Sequence, residues 1–205
     1  MKRVACLALV LSCLVAACAT GPKGGATGDG NSIMPTLTPA QAASKKASIL
    51  AMRDRTLAQL YAQKPEAREE VRLAAGYAVF DSTQYNVVML VESNGTGVLF
   101  ENGNATPTYM IEARAGTGPG VGYKDFRQVI IFKSKDVLDQ FRRAGADVSA
   151  SADATMKVRP GGSSVSLATS FDPFITTYNF TDAGMLLQAN WGGSAFLPYA
   201  QLNQP

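Results

Sequence analysis

Hydrophobic and polar positions follow two different periods, and the change between them falls near Gly76. Before that glycine, apolar residues recur every three to four positions, which is the spacing of one helix face. These residues are Ala43, Ala47, Leu50, Leu57 and Tyr61. Thr38 and Gln41 have capping-box spacing, and Pro39 suits the first helical position. The pattern predicts a long helix that ends at Pro65, and a second helix from Pro65 to the stop signal at Gly76.

After Gly76 the chain becomes a series of short, β-rich apolar runs that are separated by turn residues. The runs are Tyr77–Phe80, Val87–Val91, Gly97–Phe100 and Thr108–Glu112. Asp81-Ser82, Asn94-Gly95 and Asn102-Gly103 lie between them, and Asn102-Gly103 is the strongest hairpin signal because both of its flanks are strand-like. We therefore expect several short strands that are joined by tight turns.

One further helix and a second set of strands complete the predicted domain. Ser134 is placed to cap a helix that contains Leu138 and Phe141 and stops at Gly145. Strands are then expected at 154–158, 165–171, 175–180 and 185–189, with turns at 160–162 and 181–184. Because helices and strands do not alternate regularly, the order predicts an α+β fold. We expect a mainly antiparallel sheet, or a partly closed barrel-like core, packed with an amino-terminal helical pair and one internal helix.

Glycine occupies every second position from Gly116 to Gly122. A phosphate-binding loop would need a helix after the glycines, but a β-rich run follows here and the nearest lysine, Lys124, precedes Asp125. Alternating glycines in a strand instead leave one face of the sheet bare. The pattern favours close approach of another backbone or helix, or a groove for an apolar ligand.

The amino-terminal segment has the composition of an export signal. Two basic residues and an apolar run from Val4 to Ala17 precede Cys18. The run is shorter than the about 20 apolar residues that span a bilayer. The last three residues of the run together with Cys18, Val15–Cys18, resemble the lipobox of bacterial lipoproteins. This resemblance implies cleavage before Cys18 and acylation of its thiol. The alternatives are an ordinary cleaved signal with an incidental cysteine, and Cys13 as the acceptor.

This segment divides the chain into three predicted parts: a lipoprotein signal peptide at 1–17, an acylated cysteine with a glycine-rich flexible tether at 18–37, and a folded domain at 38–205. The residue after Cys18 is Ala19 rather than aspartate, which resembles the pattern of lipoproteins sent to the outer membrane. We expect a protein held to the membrane by lipid, facing the periplasm or the cell surface.

Composition excludes several classes of function. The chain has no histidine, which removes serine–histidine and cysteine–histidine catalysis and the commonest transition-metal ligand. Its three cysteines all lie within the first 18 residues, so the domain has no disulfide framework. Without Lys2 and Arg3, the 19 basic residues become 17 against 16 acidic ones, which is no nucleic-acid signature. We predict no catalytic residues, no metal site and no cofactor.

Basic side chains cluster on the predicted first helix, at Lys45, Lys46, Arg53 and Arg55. A helix with an apolar stripe and basic flanks is typical of one that lies on an anionic membrane surface. A solvated surface on a helix that packs against its own domain explains the same residues. The sequence leaves both interpretations open.

Several stretches together resemble the SYLF domain, a family found in bacterial exported proteins and in eukaryotic proteins linked to phosphoinositides and actin patches. They are Ala74–Phe80, Gly97–Phe100 with Thr108–Met110, Gly116–Phe132, and Tyr178–Gly184. Two departures are Asp81, where the family usually has proline, and Val87–Leu90, which replaces a glycine-rich second strand.

The resemblance implies a non-enzymatic lipid-binding domain for phospholipid or phosphoinositide-like headgroups, with an amphipathic amino-terminal helix as the membrane contact. On that pattern the lipid-binding residues are Lys45, Lys46, Arg53 and Arg55, and membrane phospholipids are the partners. The alternative is a protein-interaction or scaffold module of the periplasm whose envelope partner is unidentified, the class to which actin binding in eukaryotic relatives belongs.

Overall fold

The computed structural model describes residues 36–144, 153–157, 164–168 and 173–204. The predicted signal peptide, Cys18 and the predicted tether up to residue 35 lie outside the described residues, as do the turn predicted at 160–162 and the stop predicted at Gly145. Residues Ile33–Pro205 form one compact unit that contains every described element. Because this unit holds both hydrophobic cores described below, it is the folding unit of the chain.

The helices are α1 (Pro39–Gln63), α2 (Ala67–Leu73) and α3 (Lys135–Ala144), with a short 3₁₀ turn at Ala200–Leu202. The predicted capping box is confirmed at the start of α1. The Gln41 backbone N–H donates to Thr38 Oγ1 at 3.3 Å, and the Thr38 N–H donates to Gln41 Oε1 at 2.8 Å. α1 ends at Gln63, just before Pro65, which cannot continue the ladder of helical hydrogen bonds.

The strands are β1 (Gly76–Glu101), β2 (Thr108–Phe132), β3 (Asp153–Lys157), β4 (Ser164–Ala168) and β5 (Ile175–Pro198). Within the described ranges the strand order is β1-β2-β5-β3, and β4 also pairs with β5. Each pairing is antiparallel. The predicted α+β class and the mainly antiparallel sheet are therefore confirmed, and the sheet is open.

The strands are longer than predicted, and three of the predicted turns are wrong. Asn102-Gly103 is the hairpin turn between β1 and β2, with Gly103 at a φ of 89°. Asp81-Ser82 and Asn94-Gly95 lie inside β1, and Thr181–Gly184 lies inside β5. Apart from Asp182, which lies at a register shift, the residues of these three segments are paired with residues of β2. The ladder of backbone hydrogen bonds therefore outweighs the local turn preference.

The two faces of the sheet carry separate hydrophobic cores. The α1 face packs against α1 and α2, and its sheet residues include Tyr77, Val79, Val98, Ile111, Val129 and Tyr178. The α3 face packs against Leu138 and Phe141 of α3, and its sheet residues include Ala78, Phe80, Leu99, Met110, Phe132 and Phe196. Because neighbouring residues of a strand point to opposite faces, consecutive apolar residues such as 77–80 are all buried.

β1 bends so far that its two ends lie side by side. The Asn102 N–H donates to the Ala75 carbonyl at 2.9 Å. A Cβ at Gly97 would collide with the Val79 carbonyl oxygen and the Phe80 ring, so only glycine allows this close approach. The sheet is thus curled toward its α3 face, where the Phe80 and Phe196 rings from different strands are 4.7 Å apart.

Candidate functional site

The apolar side of α1 is buried against the sheet. Ile49, Met52, Leu57 and Leu60 belong to the core of the α1 face. The predicted stripe is wrong at its amino-terminal end, because Ala43 and Ala47 are exposed. The larger side chains gain more from burial than alanine does, so they determine which side of the helix faces the sheet. As folded, α1 does not present its apolar side to a membrane.

Arg53 lies between α1 and the sheet, and its side chain is only 21% exposed. Its Nη1 donates to the Tyr77 hydroxyl at 3.1 Å, and the guanidinium carbon lies 4.5 Å from the centre of the Phe100 ring. Its Nε is 2.8 Å from Asp54 Oδ1. These contacts attach α1 to β1, so the position explains Arg53 as a residue of the helix–sheet interface.

The other three predicted lipid-binding residues have different surroundings. Lys46 Nζ lies 5.7 Å from the centre of the Tyr109 ring, and Lys46 lines a cavity of about 630 Å³ together with Pro198 and Asn203. Lys45 is partly buried and Arg55 is exposed. Ten residues of helix separate Lys45 from Arg55, about 15 Å along the axis. The structure therefore does not gather the four basic residues into one cluster.

A surface that the sequence did not single out is the apolar middle of the β1–β2 hairpin. Its large side chains are 49–72% exposed. We call this surface the hairpin patch, and it consists of Tyr85, Val87, Val88, Met89, Leu90, Val121 and Tyr123. Tyr85 pairs with Tyr123, and Val87 pairs with Val121, so these four side chains are contiguous on one face. Val88 pairs with Gly120, which places it on the other face of the strand.

The hairpin patch begins where the helices stop covering the α1 face. Arg127 marks this limit, because it donates to Thr56 Oγ1 at 3.0 Å and to Gln59 Oε1 at 2.7 Å. Beyond it no described helix packs on the residues of the patch. Val88 has a φ of 59°, and the register of β1 shifts between Val88 and Leu90. The sequence signal that could have revealed the hairpin patch is Val87–Val91, a run of five apolar residues without alternating polar positions.

The opposite, α3 face of the same region is polar and buried. Ser93, Arg114 and Ser194 are register partners on β1, β2 and β5, and their exposures are 0%, 8% and 3%. All three line a cavity of about 740 Å³, which Leu90 and Gly116 also border. We call these three residues the Arg114 row. Of the alternating glycines, Gly116 lines this cavity, and the groove for an apolar ligand stays a prediction.

Glu112 lies two residues before Arg114 on the same face and is 3% exposed. Its carboxyl group accepts hydrogen bonds from Ser82 Oγ and, at 3.4 Å, from Ser194 Oγ. Burial raises the pKa of Glu112 despite the opposing effects of these hydroxyls and of the Arg114 and Lys124 charges. The buried end of the sheet therefore favours a neutral carboxyl group next to a permanent cation.

Two of the other carboxylates belong to structural pairs. Asp125 accepts from Thr83 Oγ1 at 2.7 Å, and Asp139 pairs with Arg142 at 2.8 Å. In the part of the chain that the structure describes, no group of three or more Cys, Asp and Glu residues could hold a metal ion. None of the described helices combines the length and the hydropathy needed to cross a membrane.

Comparison with known proteins finds a similarity over most of the chain. The chain is 32% identical over 160 residues to "Beta cell expansion factor A" of Aeromonas veronii, and the match covers 78% of this chain. It covers 59% of that relative, so this chain spans less than two thirds of the relative's length. No protein-family profile matches the sequence.

Proposed function

We propose that this chain is a non-enzymatic lipid-binding lipoprotein of the bacterial envelope, and that the hairpin patch is its contact with phospholipid. The observation that carries the proposal is the exposure of seven large apolar side chains in the middle of the β1–β2 hairpin, four of which, Tyr85, Val87, Val121 and Tyr123, are contiguous on one face. An exposed apolar patch of this kind marks an interaction site, because water contact with it is unfavourable. Two tyrosines, Tyr85 and Tyr123, lie within it, and tyrosine suits the boundary between acyl chains and headgroups.

The membrane anchor belongs to the same proposal. Acylation of Cys18 would hold the folded unit close to one membrane through the tether at 18–37. The linked patch would then act at a high effective concentration, so a weak intrinsic affinity is sufficient. We place the protein at the outer membrane, on its periplasmic side or at the cell surface.

This proposal changes the role expected of α1. Since its apolar side is buried in the core, the helix contributes at most its exposed cations, such as Arg55, to headgroup binding. Lys45 and Lys46 are partly buried, and Arg53 is held at the interface with β1. Contact with the bilayer through the hairpin patch needs no undocking of α1.

Membership of the SYLF family is part of the proposal. The supporting stretches occupy the parts of the fold that position the patch: Ala74–Phe80 leads into β1, and Gly116–Phe132 forms most of β2. The departure at Val87–Leu90 coincides with the patch itself. We therefore expect a lipid preference that differs from that of relatives with glycine at these positions.

Liposome flotation of the Ile33–Pro205 unit tests the proposal. Vesicles of phosphatidylethanolamine and phosphatidylglycerol at low salt should retain the protein. Leu90→Glu should reduce the bound fraction at least fivefold, because a charge replaces an inserted side chain. Leu73→Glu is the matched control, since Leu73 is 68% exposed on α2 and Leu90 is 72% exposed.

Equal binding of both variants, or no binding of the wild-type unit, would contradict the proposal. A protein partner that is crosslinked through Val121 and retained without lipid would favour the alternative, an envelope scaffold module. Such a result would also show that the patch serves a protein surface.

A further inference from the structure

Arg114 is a buried cation with unused donors. It is 8% exposed, and its Nε and Nη2 form no hydrogen bond with any described residue. A guanidinium group stays charged at all accessible pH values. Leaving such a group buried without partners costs several kcal/mol, so an arginine here indicates that something else occupies the adjoining space.

Ser93 supplies a second unused donor beside the arginine. It is fully buried, and its Oγ has no partner among the described residues. The register places Ser93 directly opposite Arg114 on the neighbouring strand, and both line the cavity of about 740 Å³. Both residues thus line the same cavity, and their three unsatisfied N–H or O–H donor atoms lie covered beside it.

Glu112 does not neutralise Arg114. Its carboxyl oxygens accept from Ser82 and Ser194. Within the described ranges, no carboxylate forms an ion pair with Arg114. Lys124 lies on the same face of β2 by strand alternation, and it adds a second positive charge that acts on Glu112. The Arg114 guanidinium is therefore not neutralised by a carboxylate among the described residues.

We propose that the Arg114 row binds an oxyanion, a phosphate or carboxylate group, through Arg114 Nε and Nη2 and Ser93 Oγ. The Nε and Nη2 atoms form the fork with which arginine binds two oxygens of one anion. Gly116 carries no side chain to fill the space next to it, and the cavity volume exceeds that of a phosphate group. This inference does not rest on the membrane proposal.

The anion has two sources that the site chemistry alone does not separate: a free oxyanion and a lipid headgroup. Leu90 belongs to both the cavity lining and the hairpin patch, although its pairing with Thr117 places it on the opposite face of the sheet from Arg114. A headgroup phosphate in the Arg114 row would therefore have one apolar patch residue, Leu90, at the border of its cavity. The experiment has one arm for each source.

NMR titration of the ¹⁵N-labelled Ile33–Pro205 unit follows the Arg114 Nε–H resonance directly. One arm adds inorganic phosphate at constant ionic strength, with sodium chloride as the reference. The other adds dihexanoyl phosphatidylglycerol below its micelle concentration. A saturable shift with phosphate alone assigns a free-oxyanion site, and a tenfold or greater preference for the lipid assigns a headgroup site. No saturable shift in either arm overturns the proposal.

Substitutions of Arg114 and Ser93 test whether the anion binds at these two residues. Arg114→Lys keeps the charge and removes the fork, and it should weaken binding about tenfold. Ser93→Ala removes a hydroxyl that has no partner, so the protein should fold normally and bind about fivefold more weakly. Ser48→Ala, at an exposed position of α1, is the control. If Ser93→Ala and any folded Arg114→Lys protein bind as the wild type does, the site is wrong.

Discussion

The two ends of the curled sheet differ in what covers them. At the end formed by Tyr77–Phe80, both faces are covered, one by α1 and α2 and the other by α3. At the other end, apolar side chains from Tyr85 to Leu90 face solvent and the buried face is polar around Arg114. At the covered end, apolar side chains are buried, as in a stable core. At the uncovered end, apolar side chains are exposed and polar ones are buried. In the proposed function, stability therefore depends on the ends of β1 and β2, and lipid recognition depends on the middle of the same strands.

Removing a large side chain from each end should give the largest contrast. Phe196→Ala deletes a fully buried ring that contacts Phe80 and Phe141, and it should lower the free energy of unfolding by about 3–5 kcal/mol. Leu90→Ala should change it by less than about 0.5 kcal/mol, because Leu90 is already exposed. Urea denaturation of both variants measures the contrast. Comparable losses would show that the hairpin patch is part of the core.

A pH titration of stability examines the buried polar end. The raised pKa of Glu112 means that the folded state keeps a proton that the unfolded state releases as pH rises. Stability should therefore fall as pH rises above the ordinary glutamate range, by up to about 1.4 kcal/mol per pH unit, until Glu112 ionises in the folded state. Glu112→Gln should remove this dependence. Parallel stability curves for wild type and variant would contradict the assignment.

The two neighbouring arginines of α1 provide the smallest contrast. Arg53→Gln removes the hydrogen bond to Tyr77 and the contact with the Phe100 ring, and it should cost about 1 kcal/mol. Arg55→Gln changes an exposed side chain and should cost less than about 0.5 kcal/mol. Thermal unfolding of the two proteins gives the comparison. A larger loss from the Arg55 substitution would place the helix–sheet interface elsewhere.

The features that the sequence predicted correctly depend on neighbouring residues. The Thr38–Gln41 capping box, the Asn102-Gly103 hairpin turn and a helix containing Leu138 and Phe141 need only a few consecutive positions to be recognised. The wrong turns inside β1 and β5 depend on pairing with β2, which joins residues far apart in the chain. Local turn preference could not reveal these partners.

The candidate sites were harder to predict for the same reason. The exposure of Val87–Leu90 depends on where α1 ends over the sheet, and the polar row at Arg114 forms only when β1, β2 and β5 pair. An isolated arginine in a strand usually indicates a solvent-facing position. Only the register that aligns Ser93, Arg114 and Ser194 identifies a buried polar row.

The most direct test of the central claim places a polarity-sensitive fluorophore on each end of the comparison. The Ile33–Pro205 unit contains no cysteine, so Val121→Cys and Leu73→Cys each give a single labelling site. Both positions are exposed, at 70% and 68%. With phosphatidylglycerol-containing vesicles, the label at 121 should shift its emission to the blue and the label at 73 should not. A blue shift at 73 alone, or no shift at 121, would contradict the assignment of the hairpin patch as the lipid contact.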